Sequence, residues 1–503
     1  MLGDFKAALE KSKEALRGME DKLRAGDIET LECASHHSLV LAFNSHISKA
    51  KSIEKYTFPE TRRRLGPLHP QTLETLGHLV KIYQFQARLS DAGDTAKSLA
   101  RDTESSLTAH HLQTYHCRYL EAESMLAFGN YDSAEVKLEG IVKDAVEVYG
   151  KCHPTIIHYH SRLALAKYHS GKLQEAWKLI VPVFKEQSKM YTFYEQTAGE
   201  AYDAPRFDGH QPPVDLQDVH NYLQDKTSKN QRIHPYILQT LRTIALIKLQ
   251  VKGSEDSAFL VFWAIWKQNE LHWGKSSIFT LDSEYDFAIA CKERGTSLEN
   301  ADLLQQAANH LRLVYQGRSS LLHPTHPGTI SARRELVIVN ITLGQWESYI
   351  DPNRTINAYD VTEKVSPVCL DSTKWRCLEA ESRDLVRQHE ACLGFKHPET
   401  LQSLELLFIV QIMLENTAGA RETLHEGLQR LRHISVRHER IIKSLAQEHR
   451  FALILIGRSD TYDMEALQIL REILWTIEAL PKTKRDTLHN SIEFYKAMID
   501  NDN

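Results

Sequence analysis

Gly66-Pro67-Leu68-His69-Pro70-Gln71-Thr72-Leu73 is the stretch on which the fold turns. Its outline returns at Gly150-Lys151-Cys152-His153-Pro154-Thr155 and at Gly394-Phe395-Lys396-His397-Pro398-Glu399-Thr400-Leu401. Weaker copies stand at His234-Pro235 and His326-Pro327-Gly328-Thr329, with His323-Pro324 out of register beside the latter. His69 and His153 are 84 residues apart, and the midpoint reads His111-Leu112-Gln113-Thr114, which departs from His69-Pro70-Gln71-Thr72 only at the proline. The chain therefore repeats every 42 residues.

The residue types follow from helix physics. A glycine three residues before the His suits the positive-φ end of one helix. The residue before a proline is pushed out of the helical region, so the His stays outside the next helix. Proline then takes the first helical position, where its missing N–H costs nothing. Eighteen residues past the His lie Gly129, Gly171 and Gly344, which break the unit into two helices. Small residues recur at two more places, Ala122, Ala164 and Ala245 in the first helix and Ala92, Ala134, Ala176 and Ala420 in the second. Such a hairpin cannot bury its apolar face alone, so neighbours must stack. The reading is all-α, a solenoid of stacked antiparallel helix pairs.

Composition agrees. Gly (22) and Pro (15) make up about 7% of the 503 residues, against roughly 12% in average usage. The net charge of −5 leaves no basic excess to neutralise phosphates, so nucleic acid is not an expected partner. Seven scattered cysteines form no CxxC pair, which points to a reducing compartment and excludes a zinc ribbon. The longest apolar runs, Ala258–Trp266 and Leu406–Leu414, are nine residues each, against about 20 for a membrane span. A cytoplasmic protein without membrane insertion is expected.

The pattern Leu-Gly-x-x-His-Pro-x-Thr-Leu, followed by Gly-x-Tyr-x-x-Ala, resembles the 42-residue tetratricopeptide repeats (TPRs) of kinesin light chain and related arrays. It is carried by residues 65–83, 129–180 and 393–408. The resemblance implies a TPR-like superhelix whose first helices line a concave groove for a protein or peptide. It implies a non-enzymatic scaffold with no cofactor.

Three segments are expected: a first array over 1–190, an irregular insertion over 191–233 containing Pro205, Pro212 and Pro213, and a more degenerate array over 234–503. Hairpins are expected at 27–65, 70–107, 111–149, 154–190, 235–272, 277–317, 327–393, 398–435 and 436–480, with a capping helix at 483–499. A second irregular loop is expected at 347–372. Residues 1–9 read as the second helix of a unit without its first, as in a divergent cap or a longer array.

Catalytic motifs are missing. Gly274-Lys275-Ser276 has Asn269 where a phosphate loop needs its first glycine, and no HExxH or GxSxG occurs. Among 26 histidines, the groups His110, His111, His116 with Cys117 and His153, His158, His160 lack the i, i+4 spacing of helix-borne metal ligands, so no metal is expected. The run Arg62-Arg63-Arg64 reads as cations at a helix C-terminus. Groove-facing positions of the resembling repeats fall here on Glu74, Lys81, Gln84, Phe85, His116, Tyr119, Glu123, His158, Ser161, Tyr168, His169, Arg242, Gln250, Arg334 and Glu405. The asparagine those repeats carry at the eighth position after the His is replaced by Gly77, Tyr119, Ser161, Arg242, Arg334 and Glu405. The scaffold thus carries over without the cargo motif or the motor partnership. The alternatives are a ligand-sensing arm of a larger signalling protein, or an enzyme whose site hides in 191–233 or 347–372.

Overall fold

A computed structural model describes residues 5–24, 26–197, 233–250, 255–348, 372–395, 397–414 and 416–432, with six single positions between 219 and 229. Four first helices, α2 (Ile28–Phe43), α4 (Pro70–Phe85), α6 (Leu112–Ala127) and α8 (Pro154–His169), are 16 residues each and start 42 residues apart. Their partners α3 (Ile47–Leu65), α5 (Leu89–Leu107) and α7 (Tyr131–Tyr149) keep that step, and α9 (Leu173–Thr197) begins in it. Helix α1 (Phe5–Lys22) precedes α3 by one step, in the place of a second helix. Beyond the break lie α10 (Pro235–Leu249), α11 (Glu255–Trp273), α12 (Ile278–Ser297) and α13 (Ala301–Leu321). Then come α14 (Pro327–Ser348), α15 (Ser372–Leu393), α16 (Pro398–Met413) and α17 (Thr417–Arg432). The described residues hold seventeen helices and no strand. None is long and apolar enough to cross a membrane.

The chain divides into two compact units, 1–340 and 341–503. Most of 191–233 and 347–372, and all of 436–480 and 483–499, lie outside the described residues.

The repeat motif works through its caps. The Nδ1 atoms of His69, His111, His153 and His234 accept the backbone N–H two residues on, at 3.1–3.3 Å. His326 and His397 do the same at 3.1 and 3.2 Å. Each thereby satisfies one of the orphan donors of a helix start. In two hairpins the motif threonine has a matching job at the helix end before it. Thr400 Oγ1 donates to the Gly394 carbonyl at 2.9 Å, and Thr114 Oγ1 donates to the Thr108 carbonyl at 2.7 Å.

Gly66, Gly150 and Gly394 have φ of 90°, 81° and 83°, as the sequence requires of them. At the equivalent place in the third hairpin stands Thr108, with φ 84° and ψ 158°. Only glycine occupies that region freely, and a β-branched residue held there costs about 1–3 kcal/mol. Thr108→Gly is therefore expected to stabilise the protein by about 1 kcal/mol or more in urea denaturation; an unchanged midpoint would contradict the strain.

Stacking explains the small residues. Ala92, Ala134, Ala176 and Ala420 are fully buried, as are Ala122, Ala164 and Ala245. Arg62, Arg63 and Arg64 form the last turn of α3, two of them paired with Glu60. The apolar run in α11 is core: Ala258, Val261, Phe262 and Ile265 are buried, and Trp266 stacks on Phe287 at 5.4 Å.

The stack continues across the sequence break, with α10 packed on both α8 and α9. Within the first unit, early and late hairpins also meet. Phe279 of α12 stacks with Phe43 of α2 and meets Phe85 of α4 edge-on, both at 6.2 Å. The Ile278 N–H donates to Ser45 Oγ at 3.1 Å, and the His326 ring hydrogen-bonds the Phe85 backbone. In the second unit, α15 and α16 are tied by His389 Nδ1 and Ser403 Oγ at 2.7 Å.

Candidate functional site

First helices lie side by side when hairpins stack, and positions that do not pack against the second helices meet across the repeat step. In the first unit these positions carry charges and rings. Lys81 on α4 reaches Glu123 on α6 at 3.5 Å, and Arg162 on α8 closes on the other oxygen of the same carboxylate. Burial alone would push the Glu123 carboxyl up, but the two cations hold it down at about 2. Burial pulls Lys81 below the ordinary ammonium value, against the pull of Glu123.

Rings line the same face. Tyr119 stacks on Tyr159 at 4.8 Å and hydrogen-bonds His158 Nε2 through its hydroxyl at 2.9 Å. His158 stacks in turn on Tyr236 of α10 at 4.4 Å, and His116 stacks beside Tyr119 at 6.0 Å. Burial, followed by the Arg162 charge, lowers His158 to about 3; burial, followed by Lys81, lowers His116 to about 4. Both rings are therefore neutral at neutral pH and act as hydrogen-bond and stacking groups.

The remaining expected groove residues are mostly half-buried or buried. Gln84 donates to Ser124 Oγ at 2.9 Å, and half-buried Tyr168 hydrogen-bonds Gln250. Arg242 grips Asp286 of α12 with two nitrogens, one at 2.9 Å. Arg334 pairs with Glu335 at 2.8 Å, and Glu335 also binds Lys292 of α12 at 2.8 Å. Tyr119, Ser161 and Arg334 are only 4%, 3% and 2% exposed. At these three hairpins the eighth position faces the neighbouring first helix rather than an open groove, as the 3.1 Å contact of Ser161 with Thr240 illustrates. At Gly77 a Cβ would meet Leu120 and Leu99, the same packing seen from a smaller residue.

The two histidine groups singled out in the sequence are likewise engaged. His111 and His153 are caps, His110 lies 3.2 Å from the Tyr115 hydroxyl, and His160 bonds the Ile156 carbonyl at 2.9 Å. Cys117 is buried against Thr103.

Antiparallel hairpins, the first four at a 42-residue step and stacked through small residues, define the architecture. The fold is an α-solenoid of stacked antiparallel helix pairs. The chain is similar to crystallised, nearly identical TPR-like repeats of kinesin-light-chain type from Podosopora anserina, at 17% identity over 50% of this chain and 97% of that one, with a TM-score of 0.30. A point-substituted form of those repeats gives the same figures. A circular tandem repeat protein with novel repeat topology and enhanced subunit contact surfaces is similar over 94% of this chain and 96% of its own, at 13% identity and a TM-score of 0.17. No family model matches the chain, and no curated protein matches it.

One group escaped the sequence reading: His36 of α2 with Glu74 and His78 of α4, whose ligand atoms lie within 4.8 Å of one another. The signal was present in two forms. Glu74 and His78 are i, i+4 on one helix, and His36 and His78 are one 42-residue step apart.

Proposed function

We propose that the protein is a non-enzymatic interaction scaffold that takes a peptide or protein segment along the first-helix face of its first unit. The observation that carries the reading is the polar line on α4, α6 and α8. Lys81, Glu123, Arg162, His116 and His158 sit there half-buried, although stacking alone would be served at least as well by apolar side chains. Beside them stand the amide of Gln84 and the ring of Tyr168, the residue kinds that hold a backbone and anchor a side chain. The net charge of −5 fits a protein partner better than a nucleic acid. Cys33, Cys117, Cys152, Cys291 and Cys377 are free thiols, which suits the cytoplasm.

Site-specific photo-crosslinking in extract of the native host tests the proposal. The crosslinker replaces Gln84 or Tyr168 on the first-helix face, or Val136 or Leu313, each 55% exposed on second helices. Partner crosslinks are expected from the first pair of sites and not from the second.

A second reading, a ligand-responsive arm, draws on the contacts of α2 and α4 with α12 and with His326 at the start of α14. A ligand that altered the early hairpins would bias those contacts.

A further inference from the structure

We propose that His36, Glu74 and His78 form a zinc site that clips the first two complete hairpins together. Two imidazoles and one carboxylate are a common protein ligand set for Zn²⁺ with a fourth position left open. His36 Nε2 and Glu74 Oε1 are 3.4 Å apart, close to the edge of roughly 3.3 Å that ligands about 2.0–2.1 Å from a tetrahedral ion would make. All three ligand atoms fall within 4.8 Å. His36 is exposed and Glu74 half-buried, so both can move the small distance that coordination requires.

The surroundings orient both rings for this use. His36 Nδ1 lies 3.0 Å from the Glu32 carbonyl, which accepts its proton. His78 Nδ1 lies 2.8 Å from Ser35 Oγ, and Ser35 Oγ donates to Glu54 at 2.9 Å. In the neutral rings these bonds favour the proton on Nδ1, which leaves Nε2 as the nitrogen for an ion. Such outer hydrogen bonds are the usual companions of metal-binding histidines. Ser38 also donates to Glu54, so the relay ends on a carboxylate fixed by two hydroxyls.

The rings come from neighbouring hairpins, one repeat step apart, so an ion bound here ties α2 to α4. Elsewhere along the first unit that connection is made by Lys81 with Glu123, Arg242 with Asp286 and Lys292 with Glu335. The competing account of the group is a simple ion pair between a protonated His36 and Glu74.

The two accounts differ in a direct measurement. The full chain, stripped of metal with a chelator, is titrated with Co²⁺ as a coloured probe and then with Zn²⁺ in competition. One Co²⁺ per chain is expected, with the visible absorption of a four- or five-coordinate ion, displaced by Zn²⁺. His36→Gln and Glu74→Gln change exposed or half-buried positions. Each is expected to weaken binding at least tenfold without altering the helical circular dichroism of the metal-free protein. His160→Gln, on another helix, should bind as the parent does. The proposal is overturned if the parent shows no saturable binding at micromolar metal, or if His36→Gln and Glu74→Gln bind as tightly as the parent. A strong thiolate-to-cobalt band would also overturn it, by placing the ion on cysteines.

Discussion

Glu123→Ala is expected to lower the stability of the protein by about 3–5 kcal/mol, because it strands two cations in a largely desolvated interface. Lys81 and Arg162 keep only 22% of their side-chain surface exposed, and Glu123 keeps 13%. An exposed pair at the same separation would be worth under about 1 kcal/mol. The carboxylate is shared by α4 and α8 from its place on α6, so its loss loosens three successive hairpins together. Urea denaturation followed by circular dichroism measures the effect. A loss under about 1 kcal/mol would mean that water screens the group and that the hairpins do not need it. The combined change Lys81→Met, Glu123→Leu and Arg162→Met should be close to neutral, since replacing all partners by apolar groups removes the desolvation cost along with the attraction. That contrast separates a register-setting network from a source of net stability.

Acidification from pH 6.5 towards 4.5 is expected to destabilise the first unit steeply. Burial holds His116 and His326 at about 4 and His158 at about 3, below the ordinary 6.5. His158 faces Arg162, Glu123, Lys81 and His116; His116 faces Lys81, Glu123 and Glu74; His326 faces Arg318. In this window the unfolded chain binds protons that the folded chain refuses. By linkage, stability is full above pH 6.5 and is lost as pH falls towards the folded values, at up to about 1.4 kcal/mol per pH unit for each ring. Glu54 acts in the opposite sense, because burial raises it to about 7 and the folded chain keeps its proton. His78, which burial and then the His36 charge hold at about 4, adds a fourth ring, so Glu54 offsets about one of four and leaves a net slope of up to about 4 kcal/mol per pH unit. Below pH 4.5, Glu123 and Glu335, both held at about 2 despite their burial, continue the loss. Melting temperatures measured across this range should fall with pH and partly recover their flatness when His158 is replaced by Gln. A profile flat from pH 7 to 5 would contradict the burial of neutral imidazoles.

The repeat was legible because it is local. A glycine, a His-Pro pair and an alanine at fixed offsets each answer to a cap or a close helix contact within one hairpin. The 16-residue helices at 70–85, 112–127 and 154–169 stand where those signs put them. The preceding copy was placed from 27 onward without a His-Pro pair: its cap position is Asp27, 42 residues before His69. Thr108 shows the limit of reading motifs by residue type. It holds a glycine's conformation, so the backbone repeats along the array where the residue does not.

The inner face was less legible for a different reason. Offsets name one position in one hairpin, whereas the chemistry lies between hairpins: Lys81 with Glu123, His158 with Tyr236, Arg242 with Asp286. Tyr119 reads as an anchor for a partner and is instead 4% exposed between stacked helices. The contacts of Phe43 and Phe85 with Phe279 have no periodic sign at all, since they depend on how far the superhelix coils. His36 and His78 could have been paired by comparing equivalent positions one step apart, as the cap histidines were.

The first-helix face as the place where a partner lies is tested most directly by where the partner crosslinks. With the photo-crosslinker at Gln84 or Tyr168, the account predicts the same partner band from both sites, 84 residues apart and two hairpins along one face. The band should weaken in the Glu123→Ala background, where that face loses its order. A partner captured from Val136 or Leu313, with nothing from Gln84 or Tyr168, would place recognition on the second helices and contradict the account.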